Sequence, residues 1–318
     1  MITTKLTHLV PIDFPVIQAG MIWVSGGKLA AASANAGIMG VIGAGSMSPE
    51  VLRGQIKKAR YLTPHHGRLA VNLPLLYSRI DEQIDVALEE GIRIFITSAG
   101  SPKKFTSHLK SHGALVMHVV SNPELALKCE ENGVDVVIAE GFEAGGHNGR
   151  DELTTLTLIP QVLNAVKIPV IAAGGIATGQ GVAAMLALGC AGVQIGSRFI
   201  VADESSAHEN FKNLILESKY DSTKLMMKKH VPVRLLKNDF FRQVEQIENQ
   251  QHSDQDLISL LGKGRAKAGM HDGDLVNGEL EIGQICALIK KRSSTHDIVH
   301  ELKKDFFSSI AQLHSLVK

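Results

Sequence analysis

Three features of the sequence predict an α/β chain: one closed (β/α)8 barrel, a TIM barrel, with a smaller, mostly helical lobe after the eighth strand. Eight short apolar runs begin at residues 15, 38, 69, 93, 114, 134, 168 and 192. Helical patterns fill the intervals, and strict alternation of strand and helix means parallel strands joined by right-handed crossovers. No GxGxxG follows the first run, which favours a closed barrel over an open doubly wound sheet.

Taken in order, the strands are Pro15 to Ala19, Ile38 to Ile42, Leu69 to Asn72, Arg93 to Thr97, Ala114 to Val120, Val134 to Ala139, Ile168 to Ala173 and Gly192 to Gly196. The helices between them are 28–35, 49–59, 81–90, 123–132, 158–166 and 179–188. Asp81 and Glu82 open one of these, where the helix dipole favours negative charge. Ser121-Asn122 before Pro123 is a capping signal with proline at the first helical position. After Arg198 the alternation stops. Helices are expected over 207–218, 240–251 and 253–262, with a basic stretch, 224–239, broken by Pro232. Amphipathic helices 278–290 and 295–316 close the chain. The division that follows is a barrel over 1–205, a lobe covering its mouth over 206–275, and terminal helices over 276–318. Residues 243–255 are rich in glutamine and read as a solvated helix and loop.

Composition narrows the function. The 318 residues carry 33 basic and 32 acidic side chains, a net charge of +1. No basic patch dominates, which argues against nucleic acid or an anionic membrane as partner. Cys129, Cys190 and Cys286 sit in apolar or helical contexts without CxxC spacing, so they read as reduced thiols and not as a disulfide framework or metal site. The N-terminus lacks a charged-then-apolar leader, and no apolar run approaches the ~18 residues of a membrane span. A cytoplasmic, soluble protein is expected.

The chemistry is expected where strands end in glycine. The run 134–139 leads directly into Glu140 to Gly149, EGFEAGGHNG. Gly145 and Gly146 permit close approach to the main chain, and His147 puts a titratable imidazole beside it. The seventh strand ends in Ala173-Gly174-Gly175-Ile176, and the eighth in Gln194-Ile195-Gly196-Ser197-Arg198. Loops at these two positions of a barrel favour phosphate. Gly20-Met21, Gly43-Ala44-Gly45 and Asn72 end the first three strands and could lie along a flat ring. Arg198 and the basic stretch Lys224 to Lys237 are expected above that ring, where they would draw an anionic group.

These residues resemble the family that holds flavin-dependent enoyl-acyl-carrier-protein reductase (type II) and nitronate monooxygenase, the former 2-nitropropane dioxygenases. The matching stretches are QAGMIWVSGGKLA (18–30), GVIGAGSM (40–47), VNLPLL (71–76), AEGFEAGGHNG (139–149), IPVIAAGGIATGQG (168–181) and GVQIGSRF (192–199). SSAHENFK (205–212), GRAKAG (264–269) and GELEIGQ (278–284) extend the likeness over nearly the whole chain. The resemblance implies non-covalent FMN, contacted by Met21, Asn72, Glu140, Gly145, Gly175, Gln194, Gly196 and Ser197, with His147 as the catalytic residue. It implies an NADH- or NADPH-using reductase of enoyl thioesters, free or carried on acyl-carrier protein, with an oxidase of alkyl nitronates using FMN and O2 as the alternative. Glu140, where nitronate monooxygenases often have Gln, favours the reductase. Ser197, where reductases often have Thr, keeps the hydroxyl. No metal ligand set is expected, and a homodimer is compatible with the family.

Overall fold

The computed structural model describes residues 2–249 and 254–317. Eight parallel strands close into a barrel: β1 (Val16–Gln18), β2 (Met39–Gly43), β3 (Leu69–Pro74), β4 (Ile94–Ser98), β5 (Leu115–Val120), β6 (Val136–Glu140), β8 (Val170–Ala173) and β9 (Gly192–Ile195). β9 returns to β1 with Ile17 opposite Gln194, which closes the ring. Every predicted barrel strand is present, displaced by no more than two residues at either end. The runs are buried almost throughout because both faces are covered, one by the barrel interior and the other by helices.

Inside the barrel Ile17, Met39, Val41, Ile96, Met117, Val136, Ile138 and Ile171 pack in layers. The bottom is stoppered by Leu6, wholly buried, from the short N-terminal helix Lys5–Leu9. Gly192 leaves room for it: a Cβ there would stand 2.7 Å from Leu6 Cδ2. Between strands and outer helices lie two larger apolar groups, one centred on Val137, Val162, Val193 and Phe199, the other on Ile42, Leu52, Val71 and Phe95. The helix Thr295–Leu316 buries Ile298, Val299, Leu302 and Phe306 in the first of these. The capping signal acts as read, Asn122 accepting the N–H of Leu125 at 2.9 Å; Ser48 caps the helix Pro49–Leu62 in the same way, accepting the N–H of Val51 at 3.3 Å.

The remaining strands sit over the mouth. β7 (Gly146–His147), β10 (Thr223–Met226) and β11 (Val233–Leu236) form a three-stranded antiparallel sheet in the order β10-β11-β7. The stretch read as basic and broken by Pro232 is thus a hairpin. The proline precedes β11 and withholds no ladder hydrogen bond from it. Around the hairpin lie helices Glu209–Leu216, Asp239–Asn249 and Asp254–Leu261 and a π-helical turn, Lys267–His271. The expected helices 240–251 and 253–262 are present in their described parts; residues 250–253 lie outside the described residues. The expected helix over 278–290 does not form. Residues 279–283 are extended, Leu235 bridges Glu281, and only Gln284–Leu288 turns, as a 3₁₀ helix. Gly278 and Gly283 are why: a Cβ on either would come within 3 Å of neighbouring atoms, so each marks close backbone packing.

Candidate active site

The C-terminal ends of the barrel strands and the β7–β11 sheet enclose a cavity of about 1040 Å³. All nine residues expected in the site line it: Met21, Asn72, Glu140, Gly145, His147, Gly175, Gln194, Gly196 and Ser197. Its outer arm runs past Leu76, Pro102, Leu125 and Val231.

The floor is built from strand ends. Asn72 on β3 stands behind Gly20, where a Cβ would lie 2.5 Å from the Asn72 Cβ; glycine at 20 therefore makes room for the asparagine. Gly43 faces the carbonyl of Met21 at 2.5 Å from a built Cβ and does not line the cavity. Its expected contact with a flat ring is replaced by packing of the first two strand ends. Glu140 ends β6, and burial alone raises its carboxyl to about 7. The side-chain oxygen of Gln194 on β9 is buried with no hydrogen-bond partner among the described residues. An orphaned acceptor in a cavity wall costs roughly 1–3 kcal/mol unless a ligand satisfies it.

The two loops where phosphate is expected differ in what holds them. Gly174 and Gly175 have φ +87° and +68°, the left-handed region that favours glycine. Gly196 has φ −101°, and a Cβ there would make only ordinary contacts, with the Met21 sulfur at 3.4 Å and Ala19 Cβ at 3.6 Å. Neither its backbone angle nor its protein neighbours require glycine at 196; an approaching ligand would. Ser197 Oγ accepts the N–H of Gly283 at 3.0 Å, so the hydroxyl also anchors the 279–283 segment.

His147 is exposed on β7, opposite Val233. Glu143, close in sequence, does not serve it. Its carboxylate accepts the Thr155 N–H at 2.9 and 3.0 Å and the Thr155 hydroxyl at 3.1 Å. Gly145 is pressed against the backbone of Ile282 and Gly283, 2.4–2.5 Å from a built Cβ. Gly146, with φ +73°, lies under the Glu281 carboxyl. The glycines before His147 are required first by chain crossings in the protein itself. Arg198, expected above the ring, points away: its guanidinium faces Glu301 at 3.3 Å and the Lys291 carbonyl at 3.5 Å, behind the barrel. Sequence reasoning assigned no chemical role to Glu279, Glu281 or His118. Glu281 and His118 line the cavity. His118 is held well below the usual imidazole range, at about 4, by burial, with the Gly100 backbone opposing; its Nδ1 lies 2.6 Å from the Thr97 hydroxyl.

A sequence model described as nitronate monooxygenase matches residues 3–74 and 64–305. The chain belongs to the nitronate monooxygenase family. It is accordingly an enzyme, a flavin-dependent oxidoreductase. A carboxyl-CoA dehydrogenase of Rhodococcus jostii, acting on (3aS,4S,5R,7aS)-5-hydroxy-7a-methyl-1-oxo-octahydro-1H-indene-4-carboxyl-CoA, is 36% identical over 77% of this chain and 69% of the relative. A Staphylococcus saprophyticus protein named "probable nitronate monooxygenase" is 29% identical over 92% and 95%. Among solved structures, FabK from Thermotoga maritima superposes with a TM-score of 0.94 at 35% identity, covering 100% of both chains. Nitroalkane oxidase from Streptomyces ansochromogenes gives 0.82 at 29%, covering 97% and 99%.

Proposed function

We propose that this enzyme is an FMN-dependent, NADH- or NADPH-using reductase of trans-2-enoyl thioesters, of the enoyl-acyl-carrier-protein reductase II type. The observation that carries the proposal is the cavity. At about 1040 Å³ it stands at the upper end of the ligand-pocket range. It joins a polar floor at Glu140 and Gln194 to an apolar arm at Leu76, Leu125 and Val231. A flavin ring and phosphate suit the floor; an acyl chain suits the arm. The full-length likeness to FabK and the thioester in the name of the Rhodococcus jostii relative support the same substrate class.

The residues fit FMN. Gln194 offers its orphaned oxygen, Glu140 a carboxyl held near neutrality, and Asn72 an amide. Gly175, Gly196 and Ser197 present small residues at the two loops where barrel enzymes hold phosphate. Bound FMN would supply a carrier that accepts hydride from the nicotinamide and gives it to the substrate. His147 then has one task, to donate to the thioester carbonyl as charge collects there.

The nitroalkane oxidase likeness favours a second reading, oxidation of alkyl nitronates with FMN and O2. Anaerobic stopped-flow separates the two. The reductase reading expects NADH or NADPH to bleach the flavin and an enoyl thioester to restore its colour. Oxygen uptake with nitronates, with enoyl thioesters inert, would replace it with the second.

A further inference from the structure

The segment after Gly278 brings two carboxyls, Glu279 and Glu281, to the edge that carries His147, neither with a hydrogen bond or ion pair among the described residues. One edge of β11 carries β7 and then this segment: Val233 pairs with His147, Arg234 with Gly146, and Leu235 with Glu281. The register sets the Glu281 carboxyl over Gly146, its Oε2 2.5 Å from a Cβ built there. Glu281 lines the cavity together with His147. Glu279, two residues back, lies within electrostatic reach of both Glu281 and His147.

The charged groups around the pair leave it unneutralised. Arg234 on β11 donates to the Phe142 carbonyl at 2.8 and 3.1 Å and lies over the Phe142 ring. Glu143 is held by Thr155. Arg265 and His147 draw Glu279 down, but burial and the like charge of Glu281 outweigh them, and its carboxyl rises to about 7. Burial raises Glu281 to about 7 as well. Two such groups titrate as a unit and keep a proton into the neutral range.

We propose that Glu281 is the acid that protonates the α-carbon, with Glu279 holding a proton in the pair; this rests on the enoyl thioester reading above. Hydride adds to the β-carbon, and the C=C pair shifts to form the enolate, whose oxygen His147 holds. When the carbonyl re-forms, the pair at the α-carbon takes the proton from the Glu281 carboxyl. The O–H bond breaks, a carboxylate remains, and it regains a proton from Glu279 or solvent. Separate groups thus serve the oxygen and the carbon.

The test is anaerobic half-reactions and infrared difference spectroscopy on the flavin-loaded wild type, Glu281→Gln and Glu279→Gln, with flavin content and circular dichroism as folding controls. Glu281→Gln is expected to leave flavin reduction by the nicotinamide unchanged and to slow reoxidation by enoyl thioester by about 10²-fold or more. In D2O the wild type should place deuterium at the α-carbon in one configuration, and Glu281→Gln in a mixture. Without any substrate, the wild type should show protonated-carboxyl absorption that disappears near pH 7 and is reduced in Glu281→Gln, the remainder belonging to Glu140 and Glu279. Reoxidation should fall as pH rises through about 7, since the protonated form is the active one. Glu279→Gln removes the like charge and should move that fall to lower pH, which keeps the proposal testable if Glu281→Gln does not fold. A wild type inert toward enoyl thioesters overturns the reading and this proposal together. An active wild type with Glu281→Gln equally fast and equally stereoselective, or with its carboxyl absorption unchanged by the substitution, overturns this proposal alone.

Discussion

At the scale of the residue, His147 and the glycines around the cavity make distinct predictions. His147→Ala should leave flavin reduction by the nicotinamide largely intact, because no charge develops on a thioester oxygen in that step. Reoxidation by enoyl thioester should slow by about 10²–10³-fold, the usual cost of one preorganised donor. Equal reoxidation rates in variant and wild type would remove His147 from the mechanism. Gly175 and Gly196 separate backbone strain from ligand clearance. Gly175→Ala forces a Cβ onto φ +68° and should cost about 1–2 kcal/mol of stability, although the nearest atom, Glu143 Cβ, is 3.4 Å away. Gly196→Ala meets no such strain and should leave the melting temperature of the flavin-free protein near wild type while lowering flavin affinity. Thermal melts and flavin titration of both variants check this; a destabilised Gly196→Ala with normal affinity would reverse the assignment. The residues of the floor were legible because strand ends are easily found and glycine or amide residues there have few other uses. Glu281 was not, although GELEIGQ belongs to the family likeness. Its role depends on which edge of which strand it meets, and that edge belongs to residues 233–236.

At the scale of the element, the barrel strands were legible because β-branched runs buried on both faces carry their own signature. The β10–β11 hairpin was not, since its residues are basic, its turn holds Lys228 and Lys229, and its third strand is a two-residue piece of the loop 140–149. The short helix Thr106–Ser111 escaped for a similar reason: five polar residues and a single leucine, Leu109, show no periodicity. The hairpin changes the prediction for the basic stretch. Lys228 is paired with Glu152 at 2.5 Å, so much of its field is cancelled, while Lys229 is exposed on the same turn. Neutralising both should raise KM for an acyl-carrier-protein substrate at low ionic strength, with Lys229→Ala accounting for most of the change and the effect fading with salt. An unchanged KM at low salt would show that the turn does not meet the carrier. Arg198 takes no part, because its charge is spent on Glu301 behind the barrel.

At the scale of the whole molecule, the fold was legible from alternation alone, since eight strand–helix units admit few arrangements. The enclosed site was less so. It is assembled from β7 at 146–147, β11 at 233–236 and the segment 279–283, which meet only after the chain has turned back twice over the barrel mouth. Barrel strands pair with close neighbours in sequence, apart from the closing contact of β1 with β9; the contacts of β7 with β11 and with the segment 279–283 span about ninety to one hundred and forty positions. Long closures form slowly because their entropy is lost before their contacts reward it. Refolding should therefore split in time. Far-ultraviolet dichroism should recover first as the barrel forms, and flavin capture should lag as a slower phase with its own rate. Simultaneous recovery of the two signals would mean that the mouth and the barrel condense together. A lag would make the half-built barrel, open at its top and apolar within, the species in which a newly made chain is most exposed to aggregation.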